Sequence, residues 1–250
     1  MKRFIHIFPV LAALMGAAAG LLRFCLYLVG TDEKGLLVSG HPLEIILWLL
    51  TAAAVILILL QVWPMTGSRR YAVNFPASTR AAAGCFLFAA GIFLTVMANR
   101  QVWSTLEFVR NIACLAAVPA LTAVAICRRM GKRPLFGFHA ILCLALTLHT
   151  VSHYRAWSAC PQLQDSFFPM MGCLGLMLFS YYQTAFDVGL GRRRMQLGTG
   201  ALAAFCCFAA IPGSGTALLY LTGGIWTLTN LCALKISSEP APDKKKEDAQ

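Results

Sequence analysis

The sequence predicts an all-α fold, a polytopic membrane bundle of about eight transmembrane helices with both termini in the cytoplasm. Of its 250 residues, 58% are hydrophobic and only 12% are charged, whereas a soluble domain has roughly a quarter charged residues. The hydrophobic residues fall into runs almost free of charge, long enough to cross a hydrocarbon core of roughly 30 Å. The basic residues gather between alternate runs, which gives the bundle two unlike sides.

The apolar runs are continuous and do not alternate, so they indicate helices, which satisfy their own backbone hydrogen bonds in lipid. The predicted spans cover about 4–29, 42–64, 81–98, 106–127, 135–154, 167–189, 196–211 and 216–235. Pro42 opens the second span and Pro134 precedes the fifth, both favourable positions for proline. The last two spans are joined by Pro212-Gly213-Ser214-Gly215, which predicts a tight hairpin between neighbouring antiparallel helices.

The first span also has features of a cleavable signal peptide. Met1-Lys2-Arg3 precedes an apolar run with three consecutive alanines, and cleavage after them would leave seven spans. The apolar stretch continues through Val29, so we expect a retained transmembrane helix. Gly16 and Gly20 are spaced four apart, a pattern that lets a second helix approach closely.

Basic residues are divided unequally between the two sides of the predicted bundle. Sixteen of the 21 lysines and arginines lie on the side of the N-terminus, and three lie on the opposite side. The positive-inside rule therefore places the basic side in the cytoplasm. The net charge of +11 follows from this topology, so we expect the lipid bilayer as partner and no nucleic acid. The tail 237–250 is predicted to be a disordered cytoplasmic segment.

Polar side chains inside or at the edges of spans are the candidate functional residues, because each costs free energy in lipid unless it is paired or hydrated. They concentrate in the outer third and predict an outward-facing cluster that binds a small-molecule ligand. The cluster comprises Arg23, Glu44, Glu107, Arg110, Asn111, His149 and His153. Glu107 can neutralise Arg110 on the same helix, and either Arg23 or Arg110 can pair with Glu44. The alternative is a set of interfacial side chains that reach water.

His149 and His153 are four residues apart and share one helix face, a spacing that can chelate a metal. Further ligands would have to come from Glu44, Glu107, His41 or Asp165 on the outer side. The alternative is an interfacial histidine pair, and we expect no cofactor.

The inner end of the sixth span carries a second group of candidates, Tyr182, Asp187 and Arg192. We expect Asp187 to pair with one of the arginines at 192–194. Such a pair either anchors the helix end or forms a gate near an exit.

Sequence motifs for nucleotide hydrolysis and for common peptidases are missing from this chain. Three interpretations remain. The first is a small-molecule or ion transporter of the permease kind, which uses the outer cluster as its entry. The second is a sensor or assembly protein with a protein partner at the basic cytoplasmic loops. The third, an intramembrane enzyme acting on a lipid-linked substrate through the two histidines, is the weakest, so an enzyme is not expected.

Short motifs between residues 135 and 210 point to a known group of proteins. They are Pro161-Gln162-Leu163-Gln164-Asp165, Tyr181-Tyr182, Ala185-Phe186-Asp187 and Gly189-Leu-Gly-Arg192-Arg193. In these motifs the chain resembles uncharacterised multi-span membrane proteins of clostridial-type bacteria. The resemblance implies a bacterial plasma membrane and supplies no activity.

Overall fold

The structure is a computed structural model that describes residues 4–31, 37, 40–65, 69–99, 104–158 and 163–234, with backbone only for 4–6, 156–157 and 163–165. The predicted tail 237–250 lies outside the described residues, as does the side chain of Asp165. The helices of the described part are α1 (Phe4–Val29), α2 (Pro42–Val62), α3 (Tyr71–Asn74), α4 (Thr79–Ala98), α5 (Thr105–Met130), α6 (Phe136–Trp157), α7 (Leu163–Asp187), α8 (Arg193–Ala210) and α9 (Ala217–Cys232). The predicted all-α fold is confirmed.

Five helices are long and apolar enough to cross a membrane. They cover Ile7–Val29, Pro42–Val62, Thr79–Ala98, Thr105–Met130 and Phe136–Arg155, and α9 is a shorter apolar helix. Their outer faces carry large apolar side chains, such as Leu21 and Leu49, which are 67% and 66% exposed. Apolar surface on this scale is not found on soluble monomers. The chain is therefore a multi-pass membrane protein.

Helix ends are fixed by local capping. Pro42 occupies the first turn of α2 as predicted, and His41 before it accepts a hydrogen bond from a backbone N–H through its side chain. Ser78 and Ser104 cap α4 and α5 in the same way, which is a favoured role for serine. Gly131 ends α5 with a left-handed φ of 66°. Such a conformation favours glycine, so the basic turn after α5 begins at a defined residue.

The bundle is built around α8 and α9. Helices α4 to α7 pack against one another in chain order, and α9 contacts α4, α7, α8 and α1. Helix α8 contacts α7, α1 and α2. The predicted pairing of the last two helices is confirmed, with Gly213 of their connection at a φ of 75°.

Helix α1 packs directly against the backbone of α8. A Cβ atom built on Gly16 would lie 2.5 Å from the carbonyl oxygen of Phe205, and one on Gly20 would lie 2.7 Å from that of Phe208. Backbone atoms cannot move aside as a flexible side chain can, so both positions require glycine. The predicted close approach through these two glycines is confirmed.

Three aromatic side chains, Phe88, Phe179 and Trp226, form what we call the aromatic cluster near the middle of the bundle. All three are fully buried. The Trp226 ring stacks on Phe88 at a centroid distance of 4.9 Å and meets Phe179 edge-on at 5.0 Å. Gly223 leaves room for Phe88 and Leu176 beside them. The cluster therefore fills the centre of the bundle with tightly packed rings.

Candidate functional site

Helix α5 carries a buried arginine near each end. Arg110 is 7% exposed and Arg128 is 2% exposed. Their spacing of 18 residues corresponds to five helical turns, so both lie on one face, roughly 27 Å apart. The buried residues between them on this face are small or aliphatic: Cys114, Ala117, Leu121 and Val124. One helix face thus presents two cations separated by an apolar stretch.

The outer arginine belongs to what we call the Arg110 cluster, formed by Arg110, Asn111, His149, Ser152 and His153. Arg110 donates from Nε and Nη2 to Asn111 Oδ1 at 3.1 and 3.0 Å, and from Nη1 to Ser152 Oγ at 3.1 Å. The rings of His149 and His153 lie 4.3 Å apart between centroids. His149 Nε2 is buried without a hydrogen-bond partner. Four predicted outer residues are therefore brought together by α5 and α6.

A small cavity of about 20 Å³ adjoins the Arg110 cluster and is also lined by Thr95 and Asn99 of α4. A cavity of this size holds about one water molecule. The cluster is therefore nearly closed in this conformation, and any larger ligand would require α4, α5 or α6 to move.

Arg23 and Glu44 lie apart from the Arg110 cluster, among α1, α2, α7 and α8. Arg23 is 4% exposed and donates to the Ala209 carbonyl oxygen and to the Tyr27 hydroxyl, both at 2.8 Å. Its guanidinium carbon lies 5.1 Å from the centroid of Phe168. Glu44 lines the same cavity of about 20 Å³ as Arg23. The outer candidates therefore form two groups in different parts of the bundle.

Glu107, the remaining outer candidate, is half-buried in the first turn of α5 and close enough to interact with His153. Among the described residues, no group of three or more histidine, cysteine, aspartate or glutamate side chains could hold a metal ion. In the part of the chain that the structure describes, His149 and His153 therefore do not have the further ligands that a metal centre needs.

Asp187 pairs with His139 rather than with a neighbouring arginine. Its Oδ2 lies 2.5 Å from His139 Nδ1, and each residue is 1% exposed. Ser180 donates to the His139 carbonyl oxygen at 2.9 Å and so ties α7 to α6. The expected pairing with an arginine at 192–194 is wrong because the last turn of α7 faces α6. Arg192 and Tyr182 instead line a surface groove.

The inner arginine of α5, Arg128, is enclosed by the segment before α4. Its Nη2 donates to Asn230 Oδ1 at 2.6 Å, and its guanidinium carbon lies 4.1 Å from the Phe75 ring centroid and 5.7 Å from that of Tyr71. Burial raises the pKa of Tyr71 above its ordinary 10.0, so its phenol stays neutral. Phe75 also meets Phe186 edge-on at 5.1 Å. Short helix α3 thus closes the basic end of the bundle.

Several buried polar atoms near this end have no hydrogen-bond partner. They include one oxygen of Asp187, Nε of Arg128 and both amide atoms of Gln183 and Gln196. Such atoms are costly in a folded protein, at about 1–3 kcal/mol each. Their accumulation makes this end of the bundle a candidate functional region.

The sequence interpretation missed Arg128 and His139 as members of this region. Arg128 follows the predicted span 106–127 and was counted only among the basic residues of the cytoplasmic side, whereas α5 continues to Met130 and buries it. His139 lies 14 residues before His153 on a nearby face of the same helix, but that spacing does not show its partner Asp187 on α7. No family model, curated protein or solved structure matches this chain.

Proposed function

We propose that this protein is a transporter of the permease kind for a small anion in a bacterial plasma membrane. In this proposal all eight long helices cross the bilayer and the basic end lies in the cytoplasm. The strong excess of lysine and arginine on one side supports the orientation. The exposed apolar faces of the long helices support the lipid environment.

The observation that carries the anion proposal is the pair of buried arginines on α5. Among the described residues, the hydrogen bonds of Arg110 go to neutral side chains, and so does that of Arg128. The buried hydrogen-bonded pair of His139 and Asp187 involves neither arginine. Ionisable groups inside a membrane bundle are costly and mark substrate or ion paths. Arginine and lysine are the side chains that line anion pores.

In this proposal the conformation described here is a closed state of the path. Trp226 of the aromatic cluster lies on α9 between Leu219, which lines the Arg110 cavity, and Asn230, which binds Arg128. That cavity holds about one water molecule. Pro119 lies inside α5 between the two arginines. Proline lacks a backbone N–H and weakens the helix at that point. A bend there would move one arginine relative to the other.

The Asp187 carboxylate would assist release of an anion at the basic end. A negative charge near Arg128 opposes tight retention of an anion once the path opens. His139 holds this carboxylate in place. A sensor or assembly protein acting through the exposed basic loops would leave the buried arginines without a role, so transport accounts for more of the structure.

Anion flux into liposomes tests the proposal. The purified protein is reconstituted and supplied separately with chloride, inorganic phosphate or acetate, with potassium as the cation probe. We expect the uptake of at least one anion to exceed the uptake by protein-free liposomes. Potassium uptake should not exceed it. Arg110→Gln and Arg128→Gln should each lower this anion uptake roughly 10- to 150-fold, since a hydrogen bond to a charged group contributes about 1.5–3 kcal/mol.

Arg129→Gln is the matched control. Arg129 is the neighbour of Arg128 and is exposed, so its replacement removes the same charge without touching the buried face of α5. Its anion uptake should equal that of the wild type. Equal uptake in all four proteins, or no uptake of any anion by the wild type, would refute anion transport.

A further inference from the structure

Two surface grooves meet at Arg192 at the basic end of the bundle. The first, which we call the basic groove, has a volume of about 390 Å³ and includes Arg69 and the three arginines at 192–194 among its lining residues. The second, the α7 groove, has about 430 Å³ and is lined mainly by Tyr181, Tyr182, Ala185, Val188 and Leu190. Arg192 lines both grooves, so a strongly cationic surface continues into a largely apolar one.

The basic groove combines four cations from two chain segments, and its lining residues include no acidic side chain. Arg193 is 5% exposed. Arg194 lies over the ring of Trp63, with its guanidinium carbon 4.4 Å from the ring centroid. An anion in this groove would therefore meet four cations and no carboxylate among the lining residues.

The two grooves also lie at the level of a membrane interface. Trp63, at the end of α2, is 72% exposed, and Tyr181 is 57% exposed. Tryptophan and tyrosine favour this level of the bilayer. Leu190, in the α7 groove, is 68% exposed, so it offers contact to an acyl chain rather than to water.

We propose that these grooves form a binding site for an anionic phospholipid, with the phosphate in the basic groove and an acyl chain along the α7 groove. Guanidinium groups bind phosphate oxygens with two parallel hydrogen bonds. A free phosphate would occupy only the basic groove, so the continuity of the two grooves favours a lipid. The site is separate from Arg110 and Arg128 and does not depend on anion transport.

Binding of fluorescent phosphatidylglycerol to the delipidated protein in neutral detergent tests this site, with phosphatidylcholine as the zwitterionic comparison. The double variant Arg192→Gln/Arg194→Gln should bind phosphatidylglycerol roughly 25-fold more weakly, at roughly fivefold for each lost cation. Both residues are exposed, so the variant is expected to fold. Thermal unfolding of each variant verifies this.

The matched control is Arg129→Gln/Arg133→Gln, which removes two exposed charges from the same end outside the grooves. It should bind phosphatidylglycerol as the wild type does. Equal loss in both double variants would show non-specific attraction and overturn the proposal. Equal binding of phosphatidylcholine and phosphatidylglycerol by the wild type would overturn it as well.

Two further measurements separate a lipid from a free anion. Leu190→Gln removes apolar contact without changing charge, and we expect it to weaken phosphatidylglycerol binding severalfold. Inorganic phosphate, titrated alone, should not bind measurably. Unchanged lipid binding in Leu190→Gln, together with phosphate binding as tight as that of the lipid, would identify a free phosphate site and contradict the lipid proposal.

Discussion

Trp226→Ala is expected to destabilise the protein by about 3–5 kcal/mol, the range for loss of a large buried aromatic side chain. The indole is fully buried, stacked on Phe88 and packed against the edge of Phe179. Its removal opens a cavity along α9 between Leu219, beside the Arg110 cavity, and Asn230, the partner of Arg128. In the proposed transporter this cavity shortens the apolar barrier, so anion flux should rise in spite of the lower stability. Thermal unfolding in detergent and flux into liposomes measure the two effects.

Trp63→Ala is the control for this substitution. Trp63 is 72% exposed and lies away from the aromatic cluster, so the same truncation there should cost only about 1 kcal/mol, the loss of its exposed cation–π contact with Arg194. Its anion flux should equal that of the wild type. If Trp226→Ala retained the stability and flux of the wild type, the aromatic cluster would not be the barrier.

Asp187→Ala should also have a large effect, because it leaves the buried imidazole of His139 without its partner. Loss of a hydrogen-bond partner from a buried polar group costs about 1–3 kcal/mol, and breaking a buried ionised pair costs about 3–5 kcal/mol. The pair joins the end of α7 to the start of α6. We therefore expect a lower unfolding temperature and weaker packing of these helices.

A double-mutant cycle measures the coupling directly. Asp187→Ala, His139→Ala and the double variant should show a coupling free energy of about 0.5–3 kcal/mol, as contacting residues do. The matched cycle of Asp187→Ala with Arg192→Ala should show a coupling near zero, because Arg192 is exposed. A larger coupling to Arg192 than to His139 would contradict the pairing in the structure.

The helices were predictable because apolar length and capping are local properties of the chain. The second span was predicted at 42–64 and the helix covers Pro42–Val62; the fifth was predicted at 135–154 and covers Phe136–Trp157. Proline at the start of α2 and the glycine-rich turn before α9 marked these boundaries. The packing of α1 on α8 was also indicated, since the four-residue spacing of Gly16 and Gly20 is visible in the sequence.

The candidate site was only partly predictable, because it depends on contacts between distant residues. His139 and Asp187 are 48 residues apart, and sequence spacing cannot show that the ends of α6 and α7 meet. The positive-inside pattern accounted for Arg128 as one cation among many and so concealed its burial. Tyr71 and Phe75 lie in a basic connection, where their insertion beneath Arg128 could not be foreseen. Arg110 and Asn111 were found because a polar residue inside an apolar run is conspicuous.

Both proposals require a bundle that lies in lipid with its basic end in the cytoplasm. Single cysteines in a cysteine-free protein test this at the two ends of α6, through Lys132→Cys and Ser158→Cys, both at exposed positions. With a membrane-impermeant maleimide on intact bacterial cells, we expect labelling at position 158 and none at position 132 until the cells are permeabilised. Labelling of position 132 in intact cells would contradict the cytoplasmic location of the basic end. Recovery of the protein in the soluble fraction without detergent would contradict its location in the membrane.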